Sequence, residues 1–92
     1  MGGSEVQFQM FYAYVLQNLK GVLYKGSTDN TAKRLEQHNS NNGFLSFTAK
    51  RGPWKLVYVE EFKTRKEAEE REKYFKSGAG RRFLKEKIKT QY

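Results

Sequence analysis

Two short runs rich in aromatic and β-branched residues, close together near the start of the chain, constrain the fold most strongly. They span residues 11–16 and 22–26, and a connector over 18–21 with turn residues at both ends joins them. Residues of these types favour β-strands, and a short turn between two strands is typical of a β-hairpin. The pattern therefore predicts an antiparallel pair of strands.

The register of this hairpin decides which side chains share a face. A turn centred near Leu19 predicts three cross-strand pairs: Tyr12 with Gly26, Tyr14 with Tyr24, and Leu16 with Val22. Because side chains alternate along a strand, Tyr12, Tyr14, Tyr24 and Gly26 then lie on one face. Two tyrosines across a strand pair are often simple packing, so this face alone does not establish a site.

A helix is predicted after the hairpin. Asp29 or Asn30 can cap a helix that runs to about His38, and the turn-rich segment 39–43 ends it. Residues 44–53 have the composition of an irregular loop.

The segment from Trp54 to Phe62 predicts a third strand because it alternates strongly. Its two sides are Trp54, Leu56 and Tyr58 against Lys55, Val57 and Val59. Since both sides carry bulky residues, we expect this strand to be the central one.

Two further helices complete the pattern. Thr64 and Glu67 form a capping box that opens a helix through about Lys76, and Gly78 ends it. A short helix from about Gly80 places three apolar residues on one stripe, namely Phe83, Leu84 and Ile88. The order β-β-α-β-α-α predicts an α+β domain with a small, three-stranded, mostly antiparallel sheet flanked by helices.

Composition narrows the function classes. The net charge is +8, from 18 Lys and Arg against 10 Asp and Glu, which favours a polyanionic partner such as nucleic acid. The absence of cysteine excludes disulfides and thiolate chemistry, and it is compatible with a reduced cytoplasmic location. No apolar run approaches the roughly 20 residues of a membrane helix, so no membrane partner is expected.

The domain organisation is simple. Residues 1–9 are interpreted as a leader or flexible N-terminus, and residues 10–92 as one domain.

Three polar side chains are candidates for chemistry. Arg34 and His38 lie four residues apart on the first helix and so share a face; an exposed arginine and a helix-end histidine are the simpler explanation. Glu72 lies on the inward stripe of the second helix, where a carboxylate must be paired, protonated or metal-bound. Mg²⁺ accepts one carboxylate with waters and substrate phosphates. Glu72 could equally turn outward, or pair with Arg34 or a neighbouring lysine.

These elements, taken in order, resemble the GIY-YIG nuclease superfamily over roughly residues 10–90. The resemblance is to its small stand-alone bacterial branch, similar to the N-terminal domain of the excision-repair incision subunit. The matching segments are Tyr12-Ala13-Tyr14, Tyr24-Lys25-Gly26, Arg34 to His38, Trp54 to Tyr58, and Glu70 to Tyr74. Two tyrosines alone are weak evidence, whereas five ordered segments at matching spacing are strong evidence.

The resemblance implies a metal-dependent DNA endonuclease that acts in DNA repair or processing. No recognition helix with base-reading residues is evident, so we expect low sequence specificity, and the structure of the DNA substrate could supply selectivity. The resemblance implies Tyr24 as the base or the group that orients the attacking water, and Tyr14 as a group that positions water and phosphate. It implies Arg34 as the phosphate ligand and His38 as an aid to substrate or a support for Tyr24. Glu72 is implied as the protein ligand of Mg²⁺ or Mn²⁺.

Two residues depart from the family pattern. Lys25 stands where the second motif is usually apolar, and Thr31 where a leucine is common. On the alternating pattern Lys25 faces away from the tyrosines. We expect this change and the one at Thr31 to affect packing more than chemistry.

A non-catalytic nucleic-acid-binding module, or an interaction domain of a repair complex, stays open as an alternative function. A domain of this size is also compatible with a protein partner that targets it, and its oligomeric state is not indicated.

Overall fold

A three-stranded antiparallel sheet with strand order β2-β1-β3 forms the centre of the computed structural model, which describes residues 9–40 and 51–88. The elements are β1 (Phe11–Asn18), β2 (Leu23–Thr28), α1 (Thr31–His38), β3 (Trp54–Phe62), α2 (Arg65–Lys76) and α3 (Gly78–Ile88). The predicted order and the α+β class are confirmed. The predicted leader over 1–9, turn over 39–43 and loop over 44–53 lie partly outside the described residues, at positions 1–8 and 41–50.

The predicted hairpin register is wrong by two residues. Tyr14 lies opposite Gly26, and Tyr24 lies opposite Leu16. The turn is centred at Lys20, because Gly21 adopts a φ of 84°. Such a left-handed residue after a tight turn closes a three-residue hairpin loop. A shift of two preserves the alternation, so the tyrosines still share a face.

The central strand is β1, and the prediction that the third strand is central is wrong. Residues 13–16 of β1 are all buried, so this strand is covered on both faces. In β3, by contrast, Lys55, Val59 and Glu61 are exposed. Bulky residues on both faces of a strand do not require it to be central, because an edge strand can leave a valine exposed to solvent.

A bulge in β3 also changes the predicted faces of that strand. Leu16 pairs with Leu56, but Val15 pairs with Tyr58, so Val57 is an extra residue in the ladder. Trp54 and Leu56 pack on the Tyr14 side of the sheet, whereas Val57 and Tyr58 contact the core on the other side. The prediction that Tyr58 shares a side with Trp54 is therefore wrong.

The sheet separates α1 from α2 and α3. On one face, Tyr14 and Leu16 pack with Trp54 and with Leu35 of α1. On the other face, the core consists of residues from β1, β3, α2 and α3, namely Ala13, Val15, Val57, Phe75, Leu84 and Ile88. β2 is an edge strand of the sheet, and α2 packs against it. None of the helices in the two described ranges is long and apolar enough to cross a membrane.

Side-chain caps set the helix ends. The Asn30 side chain accepts a hydrogen bond from the Lys33 amide at 3.0 Å, and the predicted capping box at Thr64 is present. The predicted start of α3 is two residues late, because Gly78 is its first residue. Ser77 ends α2, and its hydroxyl accepts from the Gly80 amide at 3.1 Å. One serine thus serves both helices.

Candidate functional site

A buried tyrosine–histidine pair lies at the centre of the candidate site. Tyr14 is 2% exposed and His38 is 1% exposed, and the Tyr14 hydroxyl and His38 Nε2 share a hydrogen bond at 3.0 Å. Burial, with a smaller contribution from the Arg34 charge, lowers the pKa of His38 to about 4. Burial also raises the pKa of Tyr14. Both groups are therefore neutral at pH 7, as a buried pair requires.

Tyr24 of β2 packs against this pair. Its ring centroid lies 4.7 Å from that of His38 and 6.3 Å from that of Tyr14. Burial, and then the nearby Glu72 charge, raises the pKa of Tyr24, whereas Lys76 and Arg34 lower it by less. The Tyr24 phenol therefore keeps its proton at neutral pH, and it is a hydrogen-bond donor there.

Gly26 makes room for the Tyr14 ring on the neighbouring strand. A Cβ atom at Gly26 would lie 2.6 Å from the Tyr14 hydroxyl oxygen and 2.7 Å from Cζ. Real Cβ atoms do not approach so closely, so only glycine fits opposite Tyr14. Gly26, the glycine of the second motif, is therefore needed to leave room for the Tyr14 ring.

We expect Gly26→Ala to displace the Tyr14 ring and to weaken its hydrogen bond to His38. Overpacking of this kind costs about 1–3 kcal/mol of unfolding free energy. Thermal unfolding measures the loss, and the NMR shifts of the His38 ring report the broken bond. Ser27→Ala, on the next residue of β2, is the control. A Gly26→Ala variant with unchanged His38 shifts would contradict the packing argument.

Arg34 of α1 is one of two charged residues near the tyrosine–histidine cluster. It lies one turn before His38, and its charge lowers the pKa of both His38 and Tyr14. Arg34 also lines a small groove of about 100 Å³ with Asp29, Lys33 and other residues at the start of α1. A guanidinium in this place can donate to a phosphate in a fork geometry.

Glu72 of α2 is the other charged residue near the cluster. Its carboxylate pairs with Lys76 at 2.7 Å, and the two side chains are 22% and 56% exposed. Of the alternatives left open for Glu72, the structure therefore shows the pair with a neighbouring lysine. Ala68 and Phe75 of the same stripe are buried, and Glu72 lies at the rim of that stripe. The Glu72 charge raises the pKa of both Tyr14 and Tyr24.

The helix that carries Glu72, α2, is anchored to β3 through the preceding residue, Arg71. Arg71 donates two hydrogen bonds to Glu60 of β3, at 2.7 and 3.2 Å. A bidentate pair of this kind fixes direction as well as distance. It therefore sets the orientation of α2 next to the site.

The donor set fits a metal ion held largely by substrate and water. Within 9–40 and 51–88, no group of three or more His, Asp or Glu side chains could enclose a metal ion. A partly exposed single carboxylate such as Glu72, paired to an exposed lysine, is compatible with Mg²⁺, which keeps several waters and binds substrate phosphates. It does not fit a metal enclosed by protein ligands alone.

The structure thus places all five predicted residues in one region. Tyr14, Tyr24 and His38 are in mutual contact. The charge of Arg34 acts on all three, and the charge of Glu72 acts on the two tyrosines. The lysine that pairs with Glu72 was left unspecified by the sequence, and the structure identifies it as Lys76. Its spacing of four residues from Glu72 was the available signal, because such pairs share a helix face.

Comparisons with known proteins agree with the sequence resemblance. Residues 10–86 match the family described as the GIY-YIG catalytic domain. A UPF0213 protein of Clostridium perfringens is 45% identical over 67 residues, covering 73% of this chain and 71% of the relative. A UPF0213 protein of Bacillus licheniformis is 43% identical over 79 residues, covering 83% and 80%. These bacterial relatives have names that state no activity.

A solved structure gives a further match. It is the solution NMR structure of a UPF0213 protein from Bacillus halodurans, 31% identical, with a TM-score of 0.48 and coverage of 82% of this chain and 81% of that one. The family match includes both tyrosine motifs, Arg34, His38 and Glu72, and it spans most of the chain. This chain therefore belongs to the GIY-YIG catalytic-domain family, whose membership implies nuclease activity.

Proposed function

We propose that this chain is a divalent-metal-dependent endonuclease that hydrolyses phosphodiester bonds in DNA. One observation carries the proposal: a buried Tyr14–His38 pair packs against Tyr24, and the charges of Arg34 and Glu72 both act on that tyrosine. Family membership supports nuclease activity, and the charge of +8 supports an anionic polymer as substrate.

Arg34 binds the scissile phosphate in this proposal. Hydrolysis places extra negative charge on the phosphate oxygens in the transition state, and a fixed guanidinium stabilises that charge. Its neighbours on α1, Lys33 and Gln37, line the same groove and can hold the adjacent part of the strand.

Tyr24 orients the attacking water or a phosphate oxygen by donating a hydrogen bond. The raised pKa of Tyr24 favours this role over that of general base, since a protonated phenol accepts no proton. Tyr14 and His38 are too buried to contact DNA directly, so they act as positioning residues that hold the Tyr24 ring.

Glu72 would hold the divalent cation, Mg²⁺ or Mn²⁺. When bound, such a cation supplies Lewis-acid stabilisation of phosphate charge and activates water at neutral pH. In its absence Lys76 neutralises the carboxylate, and the exposed lysine can release it.

The proposal also has finer features, of which only the role in repair or processing rests on the resemblance. They are low sequence specificity, selectivity for DNA structure, a role in repair or processing, a cytoplasmic location and a protein partner for targeting. A small basic domain makes mostly backbone contacts, which carry no sequence information.

The test incubates the protein with supercoiled, branched and single-stranded DNA, with Mg²⁺, Mn²⁺ or EDTA. We expect cleavage with metal, none with EDTA, and a loss of at least about 10²-fold in Arg34→Ala. The variant, purified in the same way, controls for contaminating nuclease. Equal cleavage by wild type and Arg34→Ala would contradict the proposal. DNA binding without cleavage on any substrate would instead support the non-catalytic module.

A further inference from the structure

A second basic surface lies where α2 meets α3, outside the tyrosine–histidine cluster. We name it the basic corner and define it by five cations: Lys25, Lys76, Arg81, Arg82 and Lys85. An open groove of about 420 Å³ is lined by Gly78 and the three cations of α3. Those three side chains belong to exposed residues.

Lys25 shows that cations from three elements are held close together. It lies on β2, is half-buried, and faces away from the tyrosines. Its pKa is lowered, first by burial and then by the charges of Arg81 and Lys76. The chain therefore brings like charges from β2, α2 and α3 into one place, which opposes stability unless an anion offsets the repulsion.

The packing of α3 on α2 determines where these cations lie. Gly80 lies against the backbone of Tyr74 and Phe75, and Ser77 caps the first turn of α3. Leu84 and Ile88 anchor the helix in the core on its inner side. The cations therefore project from a fixed helix.

The basic corner is continuous with the candidate site through Lys76. This lysine pairs with Glu72, and its charge also lowers the pKa of Tyr24 while acting on Lys25. One cation of the basic corner thus also acts on the candidate site.

We propose that the basic corner binds the DNA backbone on one side of the cleaved bond. The identity of the polymer rests on the proposed function. Several cations spread along a groove suit consecutive phosphates better than one small anion, which would need convergent donors. Arg81, Arg82 and Lys85 thus contact phosphates and raise affinity without selecting a base sequence.

The test compares two triple variants with the same change in net charge. The corner variant is Arg81→Gln, Arg82→Gln and Lys85→Gln. The matched control is Lys55→Gln, Lys63→Gln and Lys66→Gln, at exposed positions on β3 and around the start of α2. The readout is affinity for a fluorescently labelled DNA duplex in EDTA over a range of salt concentrations.

We expect the corner variant to lose about tenfold or more in affinity, and its salt slope to fall by about two to three. The control should lose much less and keep its slope. Equal losses in both variants would overturn the inference. Polyglutamate that binds wild type as tightly as DNA would also overturn it, because the corner would then fit an acidic protein surface.

Because the affinity is read in EDTA, it does not depend on cleavage. A protein that cleaves DNA but binds equally well in both variants would contradict the basic corner alone. A protein that never cleaves, but loses affinity only in the corner variant, would contradict the endonuclease proposal alone.

Discussion

Glu72→Gln is expected to lower the rate of DNA cleavage by about 10²-fold or more at saturating divalent cation. The amide keeps the shape of the side chain but removes the charge that would hold a metal ion. DNA affinity in EDTA should stay equal or rise, because one negative charge near the phosphates is lost. A fall in rate without a fall in affinity separates a role in catalysis from a role in binding.

Glu69→Gln is the matched control for this prediction. Glu69 is exposed on the same helix, so the substitution makes the same charge change away from the cluster. Equal cleavage by the two variants would remove Glu72 from the catalytic site.

The phenol of Tyr24 offers a readout that needs no metal and no DNA. Burial and then the Glu72 charge raise its pKa, so removal of the charge should shift this pKa downward. Titration by NMR of labelled tyrosine measures the shift in Glu72→Gln and in Glu69→Gln. A shift confined to the first variant supports the proximity of Glu72 and Tyr24.

The hairpin shows how much of the site could be predicted from the sequence. Tyr14 and Tyr24 were expected to pair directly, and the structure places them two residues apart in register. The shared face was correct, because alternation survives a shift of two. The register itself depends on the left-handed conformation of Gly21, and a glycine in a turn can occupy more than one place in the loop.

Non-local packing explains the other differences. The bulge at Val57 and the edge position of β3 depend on which side chains fill each face, and alternation alone does not determine this. Predictions from local sequence signals were more accurate, because the capping box at Thr64 and the end of α2 at Lys76 are as predicted. The close contact between α2 and α3 left no local sequence signal beyond the glycines at 78 and 80.

Gly80→Ala is expected to lower the free energy of unfolding by at least about 3 kcal/mol, or to prevent folding. A Cβ atom at Gly80 would overlap the Tyr74 carbonyl and would lie 2.7 Å from the Phe75 Cα. These neighbours are backbone atoms of α2, so no rotamer change can relieve the overlap. The helices would have to separate, which would expose Phe75 and Leu84 in the core.

Gly78→Ala gives the matched control, two residues earlier in the same helix. Its added Cβ would meet only the end of the Arg82 side chain, at 3.8 Å. Since alanine is the better helix former by up to about 1 kcal/mol, this variant should be as stable as wild type or slightly more stable. Urea unfolding monitored by tryptophan fluorescence measures both variants. A Gly80→Ala protein as stable as Gly78→Ala would show that α3 does not pack on α2 as described, and the basic corner would lose its fixed geometry with it.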